Sequence, residues 1–240
     1  MIKILSMLTV TMLVWGLAVS VAYAEQEAAE RPKGAGAGGF LFGMNRVDFD
    51  ALSSKLAAQG FEELEAENTF FGGAGYGVIG DKIIIGGEGG GFGQDVSSDT
   101  LKASVGYGYG LFKVGYVIYS KGSLRVFPLF GMGGGGINLR IADTGGAPGF
   151  DALVKDPGRE VNLSAGGLLF DLGLGMDYLL LLGGDEKGEG GLLFGVRAGY
   201  TLSPTKTDWR MTDRDVLRGP DVRITGPYVH LMFGGGGREK

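Results

Sequence analysis

Cysteine is absent from the 240 residues, which excludes a disulfide scaffold, a thiolate metal site and a cysteine nucleophile. Histidine occurs once, as His230. A metal centre or a general base there would need further ligands or a neighbouring nucleophile, and the sequence places none beside it. A basic excess is missing too: 22 Lys and Arg stand against 27 Asp and Glu, with no basic patch, which argues against nucleic acid as a partner. Beyond the first two dozen residues long apolar runs are lacking. The longest, Tyr178 to Leu182, is far too short to cross a bilayer as a helix. No Walker A motif occurs. Two G-x-G-x-x-G matches, Gly34 to Gly39 and Gly131 to Gly136, lack the strand-turn-helix setting that puts a phosphate on a helix N-terminus. No cofactor and no metal is implied.

Glycine is what the chain has in excess, with 49 residues, roughly three times average usage. The start of the chain is an address. Lys3 gives a thin positive region, Ile4 to Val21 carries no charge, and Ala22-Tyr23-Ala24 is a small-x-small cleavage pattern followed by Glu25. Residues 1–24 therefore read as a secretory signal peptide, residues 25–37 as a flexible leader, and residues 38–240 as one domain. The competing reading of 1–24 as a retained anchor has the apolar length but ignores the cleavage pattern.

From Phe40 onward, glycines, β-branched residues and aromatics cluster in strand-like runs. Eight strands are predicted, at about 38–46, 68–79, 82–94, 102–119, 124–140, 163–182, 191–202 and 224–235. One helix is predicted near 48–59. Asp48 or Asp50 is the expected cap, Phe49, Leu52 and Leu56 form an apolar stripe, and Gly60 stands where a C′ glycine belongs. Short connections at Gly80-Asp81, Ser120 to Ser123 and Gly183 to Gly190 alternate with polar ones that are mostly longer. That rhythm suits an all-β, up-and-down antiparallel barrel.

The two cleanest strands carry the assignment of faces. Leu168, Phe170, Leu172, Leu174, Met176, Tyr178 and Leu180 share one side, while Asp171, Gly173, Gly175 and Asp177 lie between them. Likewise Leu192, Phe194, Val196, Ala198, Tyr200 and Leu202 alternate with Leu193, Gly195, Arg197, Gly199 and Thr201. Glycine in a strand costs about 0.5–1 kcal/mol relative to Ala, a poor way to build a wetted surface but a steric necessity in a narrow lumen. Against lipid, an arginine near the midplane would cost about 2–4 kcal/mol. The glycine-and-charge face is therefore expected inside and the Leu/Phe/Tyr face against hydrocarbon. The sparse strand charges, Glu88, Lys113, Asp171, Asp177 and Arg197, are then candidates for a structural charge network in the lumen. The glycine tracts Gly86 to Gly91 and Gly133 to Gly136 admit two readings: room for curvature or for the helix to approach, or a lumen emptied for a ligand. The mixed charges of 205–223, Lys206 to Arg223, read as a self-paired solvated loop.

With its leader, its short-turn and long-loop rhythm, and the stretches FDLGLGMDYLLLL and GLLFGVRAGYTL, the chain resembles the eight-stranded OmpA/OmpX-like class of outer-membrane barrels. The resemblance implies a bilayer-spanning domain with both termini in the periplasm. The chain departs from it in glycine content and in its last residues, Phe233-Gly-Gly-Gly-Gly-Arg-Glu-Lys240, which lack the usual terminal aromatic. The expectation is a small outer-membrane barrel that is no enzyme. It would have a structural or surface-interaction role, membrane lipid as its surroundings, and surface partners met through the longer loops. Two alternatives stand beside it: a soluble periplasmic barrel holding a small apolar ligand with the faces reversed, and a barrel-embedded lipid-modifying enzyme around His230.

Overall fold

The computed structural model describes residues 34–144, 151, 160–184, 188–204, 208–212, 214–217 and 219–239. The segment 1–24, expected to be a signal peptide, and the expected leader up to residue 33 lie outside the described residues. Eight long strands follow in chain order: β1 (Gly34–Arg46), β2 (Glu67–Ile79), β3 (Ile83–Ser97), β4 (Leu101–Tyr116), β5 (Leu124–Asp143), β6 (Glu160–Gly184), β7 (Gly188–Leu202) and β8 (Gly226–Glu239). Each pairs antiparallel with the next, and β8 pairs with β1, so the sheet closes on itself.

The register fixes the shape. Direct cross-strand partners run from Ala35 through Val78, Ile84, Gly115, Leu129, Gly173, Gly199 and Tyr228 back to Asn45. One circuit thus returns to β1 ten residues further on (45 − 35 = 10). Eight strands with that stagger tilt by about 40° and leave an interior that side chains can fill. The strand positions follow the sequence pattern, with most ends displaced by one to four residues. Strand β1 begins at Gly34, four residues before the expected start at 38; residues 35–37 are paired with both β2 and β8, and Gly34 with β2. Strand β4 stops at Tyr116, after which Tyr119–Lys121 forms its own hairpin with β5. Strand β8 spans 226–239 rather than 224–235.

Connections of unequal length sort to opposite ends. Gly80 and Asp81 both take φ +59°, the left-handed pair that a tight hairpin with matched strand twist requires. That turn, the link from β4 to β5, the β6–β7 turn and the strand ends Gly34 and Glu239 share one end of the barrel. The strand ends Arg46 and Glu67, Ser97 and Leu101, Asp143 and Glu160, and Leu202 and Gly226, which the other four connections join, share the opposite end.

The single helix, α1 (Asp50–Ala57), lies in the first long connection. Its Leu52 and Leu56 are buried, as the apolar stripe predicts. The expected acidic cap differs in detail. Phe49 occupies the N-cap position without a side-chain hydrogen bond, and Asp48 instead accepts the Asp50 N–H at 3.2 Å. Gly60, at φ +85°, lies beyond the C-cap Ala58 and turns the chain away. Phe49 meets Phe92 edge-on at 6.2 Å between ring centroids. Leu52, Leu56, Phe61 and Leu64 share one buried cluster with Val96, Val105, Ile137 and Leu139 of the barrel wall, and with Trp209, Val222 and Ile224 of the last long connection. The long-loop end is therefore closed by an apolar cap that α1 anchors from within, at about 1.5–3 kcal/mol per buried leucine.

Candidate functional site: the charged interior

Alternation sorts every strand into an inner and an outer face. On β6, Leu172 and Leu174 are 55% and 54% exposed, whereas Asp171 and Asp177 between them are 0% and 2%. On β7, Phe194 is exposed and Arg197 buried. Phe40, Phe42 and Met44 on β1, Phe112 on β4, Phe130 and Met132 on β5, and Leu231 and Phe233 on β8 complete an outer apolar belt. The glycine face needs a correction. Inward glycine holds for β6 and β7, but in β2, β3 and β4 many glycines sit on the outer wall: Gly73 and Gly75 are exposed there, and Gly110 likewise. Nor does α1 rest on the glycine tracts, because its buried leucines cluster with Val96, Val105 and Ile137 instead.

Where glycine does face inward, it makes room. A Cβ at Gly131 would lie 3.0 Å from Asp171 Cβ and 3.4 Å from Lys113 Cε, and Gly131 is the direct cross-strand partner of both residues. A Cβ at Gly175 would collide with the Phe127 ring, and one at Gly199 with the Tyr228 hydroxyl. Bare backbone on one strand thus admits the large side chain projecting from the next.

The five strand charges fall into two groups. In the first, Lys113 Nζ lies 3.0 Å from Glu88 Oε2 and 3.0 Å from Asp171 Oδ1, and it donates to Tyr228 Oη at 3.3 Å. Tyr228 donates in turn to Asp171 Oδ1 at 3.1 Å, and Tyr109 to Glu88 Oε1 at 2.7 Å. In the second, Arg197 holds Asp177 with two parallel bonds of 2.5 and 2.9 Å, the bidentate geometry that favours arginine over lysine. Tyr76 donates to the same carboxylate, and the guanidinium lies 4.9 Å from the Phe127 ring centroid. Asp171 and Arg197 do not pair with each other: β4 supplies the cation for Asp171. Asp171 Oδ2 has no hydrogen-bond partner among the described residues.

Sequence reasoning left out the neutral partners. Tyr76, Tyr109, Tyr228 and Asn45 all reach the interior groups, and nothing but their inward register distinguishes them from girdle tyrosines. His230 is fully buried. Its ring stacks between Phe70, at 4.3 Å, and Tyr228, at 4.7 Å, and its Nε2 lies 2.5 Å from Asn45 Oδ1. Among the described residues no group of His, Asp and Glu has metal-binding geometry.

A closed antiparallel ring with an apolar outer belt, paired charges sealed inside and long connections gathered at one end is the build of an outer-membrane β-barrel. No family model and no curated protein matches the chain. Among solved structures it is similar to Ail, the attachment invasion locus protein of Yersinia pestis (11% identity over 88% of this chain and 99% of that one, TM-score 0.40). It is also similar to the outer membrane protein OprG from Pseudomonas aeruginosa (13%, 87% and 96%, TM-score 0.31) and to the outer membrane protease OmpT from Escherichia coli (10%, 90% and 99%, TM-score 0.35). The assignment of the outer wall to lipid rests on its own residues.

Proposed function

We propose that this protein is a filled outer-membrane barrel with a structural or surface-interaction role, whose capped long-loop end faces outside the cell. The observation that carries the reading is the occupied interior. Two interior cavities beside the charges, one lined by Glu88, Lys113 and Arg197 and the other by Tyr76, Asp177 and Arg238, measure about 20 and 10 Å³, room for about one water each. Above them the apolar cap fills the mouth. A barrel so filled offers a rigid support for loops rather than a path for solutes, and the charge network serves to hold that filling in place.

The soluble alternative needs the faces reversed, with Leu172, Leu174 and Phe112 inside around an apolar ligand; each of the three is instead more than half exposed, and Asp171, Asp177 and Arg197 are the buried groups. The enzyme reading has His230 as its only histidine, and that ring is stacked on both faces and bonded to Asn45. Planar-bilayer recording tests the proposal. The purified protein is expected to require detergent, to change gel mobility on heating, and to give no steady conductance. Stable open channels, or a protein released in soluble form by osmotic shock, overturn it.

A further inference from the structure

We propose that the outer groove between β1 and β8, at the long-loop end, seats one tail of a lipid whose headgroup carries both a phosphate and an ammonium, with Arg46 on the phosphate and Glu67 on the ammonium. The groove holds about 520 Å³, within the size range of small-molecule sites (~300–1,000 Å³). Phe42 and Met44 wall it on β1, Val229 and Leu231 on β8, and all four are 41–54% exposed on the lipid-facing side. Its floor is the backbone ladder in which Met44 faces Val229 and Phe42 faces Leu231. The site continues the lipid-facing belt, so a lipid tail is its natural occupant.

Charge decides the headgroup. Along the outer face of β1, Phe40, Phe42 and Met44 give way to Arg46, so the apolar wall ends where the groove does. Arg46 and Glu67 are direct cross-strand partners, both exposed and both lining the groove. Among the described residues neither forms an ion pair. A guanidinium at the end of an apolar wall matches a phosphate bidentately. A purely anionic headgroup would also meet the Glu67 carboxylate, whereas an ammonium beside the phosphate would be held by it.

The test presents detergent-solubilised protein with phosphatidylethanolamine or with phosphatidylglycerol of identical chains, and native mass spectrometry counts the lipid retained. One phosphatidylethanolamine per barrel is expected, with about tenfold less phosphatidylglycerol, the equivalent of one charge-assisted contact. Arg46→Gln should lower retention of both lipids, Glu67→Gln should bring phosphatidylglycerol up to parity, and Met44→Trp should fill the groove and expel both. Equal retention of the two lipids by the unaltered protein, or unchanged retention in Arg46→Gln, overturns the proposal. The inference rests on the lipid-facing reading of the wall. A protein that needs detergent yet retains neither lipid defeats the seat and leaves the barrel standing.

Discussion

Among the described residues, Lys113 is the one cation that forms ion pairs with two buried carboxylates, 3.0 Å from each. Counted as ionised groups, Glu88 and Asp171 exceed it by one charge, and the surplus falls on Asp171, whose Oδ2 has no partner. Removing a buried cation strands its anions, at a cost of about 3–5 kcal/mol. Removing the surplus anion does not, because an asparagine oxygen at the same place still accepts from Lys113 and Tyr228. Lys113→Met is therefore expected to lower the urea midpoint of the folded barrel strongly, whereas Asp171→Asn should change it by no more than about 1 kcal/mol in either direction. Gel mobility of unheated samples along a urea series reads both. Equal losses in the two variants would contradict the charge count. Asp177 differs, since Arg197 and Tyr76 satisfy both of its oxygens.

At the scale of the element, α1 and the last long connection form the cap together. Leu56 is 5% exposed and belongs to the same cluster as Trp209, whose indole N–H donates to the Pro220 carbonyl at 2.8 Å. An aspartate at position 56 would bury a charge with no partner. Leu56→Asp is expected to loosen the cap, exposing 47–66 and 203–225 to protease while the strands stay protected; limited proteolysis in detergent would show it, and unchanged cleavage would mean that the helix is not the anchor. The helix was legible in the sequence because Phe49, Leu52 and Leu56 recur at helical spacing within a polar stretch. The other half of the cap was not. Trp209, Val222 and Ile224 are scattered through alternating charges, have no period of their own, and are buried only because the far side of the mouth comes to meet them. Which strand charges pair with which was not legible, since pairing depends on the register between β4 and β6 across the intervening β5.

For the whole molecule, the sequence decides which way the wall faces, and the decision rests on two strands. The apolar side of β6 and β7 points outward along its length, and the tilt set by the ten-residue stagger brings the belt close to the ~25 Å apolar band of an outer-membrane barrel. Glycine on the outer wall of β2 to β4 escaped the pattern, because bare backbone has no hydropathy and alternation cannot assign it a side. Leu174 lies near the middle of the outward apolar series that runs from Leu168 to Leu182 on β6, and is 54% exposed. Arginine there would sit near the bilayer midplane, at a cost of about 2–4 kcal/mol. Leu217, 88% exposed in the last long connection, supplies the matched comparison, because arginine there meets water. Leu174→Arg is expected to cut the fraction of protein that folds into phosphatidylcholine vesicles, and Leu217→Arg to leave it unchanged. In a soluble barrel with its surface in water, the two variants would behave alike. Normal insertion of Leu174→Arg would place that leucine away from lipid and, with it, the whole outer wall.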